Sequence, residues 1–429
     1  MTLTSATSRY DKYKDSGIEW IGEIPDSWLL RKFKYIFKII SGNGFPEMLQ
    51  GNPHGDYPFC KCSDINGQKR EIASAQNYVD QSTVINYKFN IIPIKSIIIA
   101  KIGEALKKNH RKINIVKCVI DNNMEACVFQ NFDAYNIIFY FYILTCIDML
   151  WFDNGGTIPS INNEKLKNFY LPCTSIKEQE AIAGYLDKKC GAIDETIEKQ
   201  KSVIEKLKEY KQSIIAQAVT KGLDKSAPMK DSGIEWIGQI PQHWEIRRLK
   251  TLLCIRNEKS EYHGERYLGL ENVSSFLGKY HLTEDFVVEG ISNKYYQGDL
   301  LFGKLRPYLA KATIADFDGL CSSEFIVMKN FKGENRYLLR LLLSHWFIDI
   351  VNSSTYGAKM PRASWDFISN MRVPYPSKTE QVQIAEFLDK KCSEIDKTIE
   401  DKEKLIEKLV EYKKSLIYEC VTGIRKVVA

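Results

Sequence analysis

Residues 14–28 read KDSGIEWIGEIPDSW and residues 230–244 read KDSGIEWIGQIPQHW, with 12 of 15 positions identical at an offset of 216. A second pair of boxes lies at an offset of 202, where Glu178 opens EQEAIAGYLDKKCGAIDETIEK and Glu380 opens EQVQIAEFLDKKCSEIDKTIED. From Glu178 to Thr220 against Glu380 to Thr422, about 25 of 43 positions match. Between the boxes the copies share almost nothing. Their lengths differ too, with 144 positions from Trp28 to Pro172 and 130 from Trp244 to Pro374. A period near 200 is too long for a solenoid repeat. The pattern is a duplicated unit of domain plus helix, in which near-identical frames hold two divergent inserts. Frames that do one job twice, around inserts that do two different jobs, predict a pseudo-twofold construction.

The second boxes open two long helices. Leu186, Cys190, Ile193, Ile197, Gln200, Ile204, Leu207, Lys211, Ile214 and Ala218 alternate in steps of four and three. The same register gives Leu388, Cys392, Ile395, Ile399, Lys402, Ile406, Leu409, Lys413, Leu416 and Cys420. This is a coiled-coil seam of more than four heptads. Ser175 and Ser377, each three residues before a Glu, fit N-caps, and Gly222 and Gly423 fit stops. At 1.5 Å per residue such a helix is roughly 65 Å long. Gln200 matches Lys402, and Lys211 matches Lys413. These polar seam positions are either tolerated imperfections or devices that fix register or partner. Cys190 and Cys392 are inert core thiols or a redox contact across the seam.

The 429 residues, with a charged fraction of 27% and an aromatic fraction of 12%, are enough for two or three domains and exclude a disordered or collagen-like chain. Eleven cysteines without a C-x-x-C pair argue for reduced cytosolic thiols rather than a disulfide framework or zinc site. Met1 to Asp15 lacks the apolar core of a signal peptide. The longest apolar run, Ile137 to Phe152, contains Asp148 and falls short of a membrane span. The expectation is a soluble, cytoplasmic protein with no membrane partner.

The inserts read as mixed α/β. Strands are predicted at Ser96–Ala100 and Val116–Ile120 in the first, and at Asp299–Leu305, Ala312–Ala315 and Glu324–Met328 in the second. One apolar helix is predicted in each, at Ile137–Phe152 and Tyr337–Ile350. Motifs of catalysis fail one after another. Gly298–Lys304 has the first spacing of a phosphate-binding loop, but Leu305 stands where a Ser or Thr must hold magnesium. No N-P-P-Y-like methyltransferase loop, F-x-G-x-G cofactor loop, H-E-x-x-H or nuclease signature is present. No catalytic residue and no metal ligand is expected. The chain reads as a binding protein.

Charge locates the binding. The net charge is +6, while the two long helices together carry −1, leaving +7 elsewhere. In the first insert Lys95, Lys101, Lys107, Lys108, Arg111, Lys112 and Lys117 face a single acid, Glu104. In the second, Lys304, Arg306 and Lys311 occupy the corresponding strand and loop, and Lys359 and Arg362 stand ahead of the frame. Such loops neutralise phosphates and offer Arg forks to guanine edges. The candidate DNA contacts are therefore Lys101, Lys107, Lys108, Arg111, Lys304, Arg306, Lys311, Lys359 and Arg362.

The boxes SGIEWIG-x-IP-x-x-W, followed 130–145 residues on by P-x-x-S-x-x-EQ-x-x-IA-x-x-LD, resemble the specificity subunit of type I restriction-modification systems. Gly357-AKMPRASWDFISNMRVP and Gly155-GTIPSINNEKLKNFYLP resemble the segments that close each target recognition domain in that family. The resemblance spans essentially the whole chain. It implies two α/β (α+β) target recognition domains separated by two long antiparallel coiled-coil helices. By this reading residues 1–29 and 223–245 are frame segments, and 30–174 and 246–376 are recognition domains. Residues 175–222 and 377–423 are spacer helices, and 424–429 are a tail. Each recognition domain would read one half of a bipartite, asymmetric target in double-stranded DNA, and the helices would set the spacing. Two modification subunits would bring S-adenosylmethionine and adenine methylation, and restriction subunits would bring ATP, Mg, translocation and cleavage. This chain itself would hold no cofactor.

The first closing segment departs from the second, with Thr157 and Ser160 where Lys359 and Arg362 stand. Asn122–Glu125 aligns with Cys321–Glu324, as DNA-facing residues or as a strand end. The alternative function is a coiled-coil adaptor that assembles protein subunits without reading DNA. A self-sufficient enzyme is disfavoured by the missing catalytic loops.

Overall fold

The computed structural model describes residues 9–67, 69–283, 290–357 and 359–427. The first eight residues of the N-terminal frame, the last two of the tail, and Ala358 of the second closing segment lie outside that description. The chain divides into two compact units, Met1–Glu198 with Leu405–Ala429, and Lys199–Lys404. Each is built to the same plan.

The plan starts with the first box. In the first unit Tyr13–Asp15 pairs antiparallel with Glu23–Pro25, and in the second Met229–Asp231 pairs with Gln239–Pro241. The intervening SGIEWIG turn is set by short polar side chains that capture the backbone. The Gly17 amide donates to Asp15 and the Ile18 amide to Ser16, and Gly233 and Ile234 repeat this with Asp231 and Ser232. Trp28 and Trp244 follow, essentially fully buried. Each indole donates to the first-turn carboxylate of a long helix, Glu178 or Glu380, at 3.2 Å.

Each insert then begins and ends on one two-stranded ladder. Leu29–Lys32 pairs with Tyr170–Cys173, and Glu245–Arg248 pairs with Arg372–Tyr375. Because entry and exit are pinned side by side, everything between them is free to change in sequence and length.

Within the inserts the core ladder is the same despite unrelated sequences. Ile97–Ala100 pairs antiparallel with Met124–Phe129, and Leu300–Gly303 pairs antiparallel with Phe325–Lys329. The first sheet has five strands, adding Phe37–Ser41 on one side and Arg111–Asn114 and Glu71–Ile72 on the other. The second has four, with Cys254–Ile255 and Ala312–Ile314 as edges. Each unit carries a further small mixed sheet.

Three sequence expectations change. Of Val116–Ile120 only Val119–Ile120 is strand, while Arg111–Asn114, polar in sequence, forms a fully buried one. The apolar helix expected over Ile137–Phe152 stops at Thr145. Asp148 accepts from the Leu150 amide and starts a separate 3-10 turn, Met149–Phe152. The helix expected over Tyr337–Ile350 is two, Asn335–Leu342 and His345–Ser353, broken at Leu343–Ser344.

The long helices are Ile176–Lys221 (central) and Lys378–Val421 (distal). Ser175 and Ser377 cap them as expected, each accepting from a Glu amide three residues on. Gly222 and Gly423 end them with φ of 74° and 80°, a conformation glycine adopts without a Cβ penalty. Both glycines also need their smallness. A Cβ on Gly222 would meet Trp244 at 3.1 Å, and one on Gly423 would meet Pro25 at 2.3 Å. The end of the distal helix is thus seated on the first frame, where Tyr13 also donates to the Gly423 and Ile424 carbonyls.

Inside the first unit the start of the central helix packs on the end of the distal one. Leu186 and Cys190 share a core with Leu416, Ile417, Cys420 and Val421. Inside the second unit the roles exchange, and Ile215, Ala218 and Val219 share a core with Ile384, Ala385, Leu388 and Cys392. The helices therefore run antiparallel.

Leu186, Ile197, Ile204, Leu388 and Ile395 are buried, and Ile193, Leu207, Ile399, Ile406 and Leu409 are half-buried. The polar seam residues are bonded. Lys211 donates to both oxygens of Asp396 (2.6 and 2.8 Å) and Lys402 to Gln200 (2.9 Å) in the second unit. In the first, Lys413 donates to Asp194 (2.6 and 2.7 Å). Each satisfied pair is met in only one register, which favours register over tolerated imperfection. All eleven cysteines are free thiols, and burial pushes Cys190 and Cys392 up from the usual thiol range, as expected of inert core groups.

Candidate nucleic-acid interface

At the end of the central strand of each insert the chain makes the same clamped loop. In the first unit the Lys101 amide donates to the Asn123 carbonyl, the Gly103 amide to Pro159, and the Ile161 amide back to Lys101, at 2.8–2.9 Å. In the second the Lys304 amide donates to Glu324, the Arg306 amide to Pro361, and the Ala363 amide back to Lys304, at 2.7–2.9 Å. Single bridges join Ile102 to Ser160 and Leu305 to Arg362. Backbone bonding alone therefore equates Lys101 with Lys304, Gly103 with Arg306, and Ser160 with Arg362. It also equates Asn123 with Glu324, so the aligned stretch Asn122–Glu125 is out by two residues. Glu125 and Glu324 are therefore not counterparts, and Ile326 holds the position of Glu125 in the second ladder.

Their surroundings differ accordingly. Glu125 is 1% exposed and accepts from Ser41 (3.2 Å) and Asn163 (2.8 Å), with the Lys101 ammonium 3.9 Å away. Its Oε2 has no partner among the described residues. Glu324 is partly exposed and grips Arg362 through Nε (3.1 Å) and Nη2 (2.9 Å), which raises the guanidinium pKa.

The second loop is the richer in exposed groups. Arg306 is exposed and left-handed (φ 50°, ψ 61°) directly before Pro307, where a residue is normally driven to extended conformations. A side chain in that conformation costs on the order of 1–2 kcal/mol, which glycine at the equivalent Gly103 (φ 70°) avoids. Lys304 is half-buried and Lys359 exposed. Tyr308 (47% exposed), Tyr356 (64%) and Met360 (52%) flank them in the chain. In the first unit the loop continues into the short helix Gly103–Lys107, with Lys107 and Lys108 exposed and Lys107 paired to Glu104 at 2.5 Å.

The type I restriction modification DNA specificity domain matches this sequence twice, over residues 25–207 and 241–409. The chain belongs to that family. Among similar specificity-domain proteins is the type I restriction enzyme EcoDI specificity subunit of Escherichia coli. It is 26% identical over 251 residues, covering 54% of this chain and 56% of that one. The MjaVIII specificity subunit of Methanocaldococcus jannaschii is 29% identical over 289 residues, covering 63% and 65%. The chain thus matches between half and two thirds of the length of these relatives. The fold is shared with a chain of a solved type I R-M system (TM-score 0.70, 14% identical, 93% of this chain and 98% of that one). It is also shared, at a TM-score of 0.52 and 14% identity, with the HsdS subunit of Thermoanaerobacter tengcongensis, again over 93% and 98%.

In this specificity-domain chain two of the nine expected contacts point away from a DNA-facing role. Arg111 is buried, donating to the Ile147 carbonyl (2.6 Å) and to Asn109 Oδ1 (2.9 Å). Burial pushes its pKa down to about 10. It is a structural cation that ties the strand to the broken apolar helix, a correction to the expectation. Lys311 is half-buried and spends a proton on the Leu270 carbonyl at 2.6 Å. The clamp gathers Lys304, Arg306 and Arg362 in one unit, and only Lys101 in the other.

Sequence reasoning missed Tyr308 and Tyr356, whose signal is an aromatic beside Pro307 or Gly357 in a basic loop. It also missed the repeated cations just after each frame tryptophan. Lys32 sits over the Tyr170 ring at 5.4 Å, and Arg247 over Tyr375 at 4.9 Å. Among the described residues no cluster of His, Cys, Asp and Glu is suited to hold a metal, and no helix is long and apolar enough to cross a membrane.

Proposed function

We propose that this chain is the DNA-reading subunit of a type I restriction-modification complex, working in the cytoplasm on double-stranded DNA. Each recognition domain reads one half of a bipartite target, and the paired helices set the number of unread base pairs between the halves. The observation that carries this reading is the clamped loop. One backbone design, held on near-identical frames, presents Lys101, Gly103 and Ser160 in one copy and Lys304, Arg306 and Arg362 in the other. A surface for two identical partners would have no use for that divergence, whereas two unlike half-sites require it.

The frames, repeated almost residue for residue, suit two copies of a modification subunit. In this reading adenine methylation with S-adenosylmethionine belongs to those subunits. ATP- and Mg-dependent translocation and cleavage belong to restriction subunits that join them.

Methylome sequencing tests the proposal, in a host without methylation that expresses this chain with its modification subunit. The expected result is a single split motif with two specified halves around a fixed gap. A stable complex that methylates nothing would move the weight to the adaptor reading. Deleting Glu205–Lys208 from the central helix removes about 6 Å and roughly 40° of helix. The expected outcome is a changed gap or lost recognition, and an unchanged motif would refute the spacer role.

A further inference from the structure

We infer that Arg306 reads a guanine in the half-site of the second recognition domain, and that Gly103 leaves the first domain without a reader at the same place. This rests on the DNA-reading function proposed above and deepens it to one residue and one base.

The backbone is the starting point. Both clamped loops require a left-handed residue where the amide reaches back to the closing segment, Gly103 to Pro159 and Arg306 to Pro361. Glycine fills the position without strain, and the second domain fills it with an arginine ahead of a proline, the least accommodating neighbour. Nothing in the packing asks for that side chain, since it is exposed and the main-chain bonds and the Arg362–Glu324 pair that hold its strand and closing segment do not use it.

The guanidinium is also unspent. Arg256 grips Asp299 and Glu258, Arg340 grips Asp389, and Arg362 grips Glu324. No described residue bonds or ion-pairs with the side chain of Arg306. Its donors face solvent from a rigid base, fixed by buried Pro307 on one side and by the Leu305–Arg362 bridge on the other.

Two features favour a base over a phosphate. Phosphate contacts are needed by both domains alike, and the clamp provides a shared cation for that purpose, Lys101 in one and Lys304 in the other. The position of Arg306 is instead cationic in one domain and blank in its sister, as a sequence-reading position must be. A planar fork of donors matches the paired O6 and N7 acceptors that guanine alone presents in the major groove.

The test is methylome sequencing of the full chain with its modification subunit, comparing wild type, R306G and R306K. R306G installs the residue that the sister loop already uses, so complex yield is expected to hold and the thermal midpoint to rise slightly. The expected outcome is a motif in which one G·C pair of one half becomes any base pair while the other half is unchanged. That corresponds to a loss of about 10- to 100-fold discrimination at that pair. R306K, which keeps the charge and loses the fork, is expected to relax the same pair rather than to restore it.

An unchanged motif in R306G would overturn the inference and leave the recognition function standing. So would a uniform loss of methylation that R306K restores, because that marks a phosphate contact. A wild-type complex that methylates no motif would instead overturn the recognition function itself, and the inference with it.

Discussion

The two recognition loops differ in almost every exposed side chain and in almost none of their main-chain bonds. Three amide-to-carbonyl bonds and one bridge recur at matching places. Lys101, Gly103 and Ser160 are exchanged for Lys304, Arg306 and Arg362. The carboxylate beside the loop stands two positions earlier in the second copy, so that Glu125 is buried and Glu324 engages a cation. A backbone-held clamp decouples recognition from folding. An exposed side chain such as Arg306 is free to diverge because main-chain bonds close the loop without it. The frames show the converse, since their side chains do close the structure and they are almost identical.

The largest effects belong to those frames. Trp28 and Trp244 are buried to the same degree and donate to equivalent glutamates at the same 3.2 Å. W28A and W244A are each expected to cost about 3–5 kcal/mol, and to cost nearly the same. Equilibrium denaturation of the full chain measures both. A difference above about 2 kcal/mol would break the equivalence of the two frames.

The helix pairs are expected to part company next. Lys211–Asp396 and Lys413–Asp194 occupy equivalent seam positions, but the first lysine side chain is only 5% exposed and the second 28%. Removing Asp396 leaves a buried cation unpaired, so D396A is expected to cost about 3 kcal/mol. Asp194 is 55% exposed, and D194A is expected to cost less than about 1 kcal/mol. Equal costs would show that solvent reaches Lys211 more freely than its burial implies.

Much of this architecture is legible in the amino-acid sequence. The repeat, the seam, the caps at Ser175 and Ser377 and the glycine stops all follow from local pattern, and local pattern decides helices and turns. The inserts are harder to read, because their strands are set by tertiary burial. Arg111–Asn114 looks polar and reads as a surface loop, yet it is an interior strand whose charges are met by carbonyls from Ile147 and Gly67. No spacing rule in a single sequence announces such partners, which is why Arg111 passes for a DNA contact on sequence alone. The same limit applies to the breaks at Asp148, which caps the turn after it, and at Ser344, whose hydroxyl donates back to the Leu341 carbonyl, because an apolar run conceals both. The clamp equivalences, and with them the two-residue correction at Glu125, depend on the ladder register.

Charge reversal sharpens the loop comparison in binding rather than stability. K304E and K101E alter equivalent residues, and each is expected to weaken DNA binding by about 1–2 kcal/mol without disturbing subunit assembly. A titration across salt concentrations checks it, since loss of a phosphate contact lowers the salt slope by about one unit. Unchanged binding in both variants would remove these lysines from the interface and favour the adaptor reading.

A small stability effect carries the most direct consequence for specificity. G103R places in the first loop the residue that the second already tolerates. A Cβ there meets nothing closer than Ile158 Cγ2 at 4.0 Å, so the cost is the left-handed backbone alone, about 1 kcal/mol. R306G should gain a similar amount. Opposite, near-equal shifts in denaturation midpoint would establish the two positions as interchangeable in folding. Interchangeability matters because the first half of the target should then acquire a specified guanine in G103R, with the second half untouched. Were the stabilities to shift as expected and the first half to stay as it was, the arginine would depend on neighbours such as Tyr308 and Tyr356 to reach a base. Recognition would then belong to the whole loop rather than to one side chain.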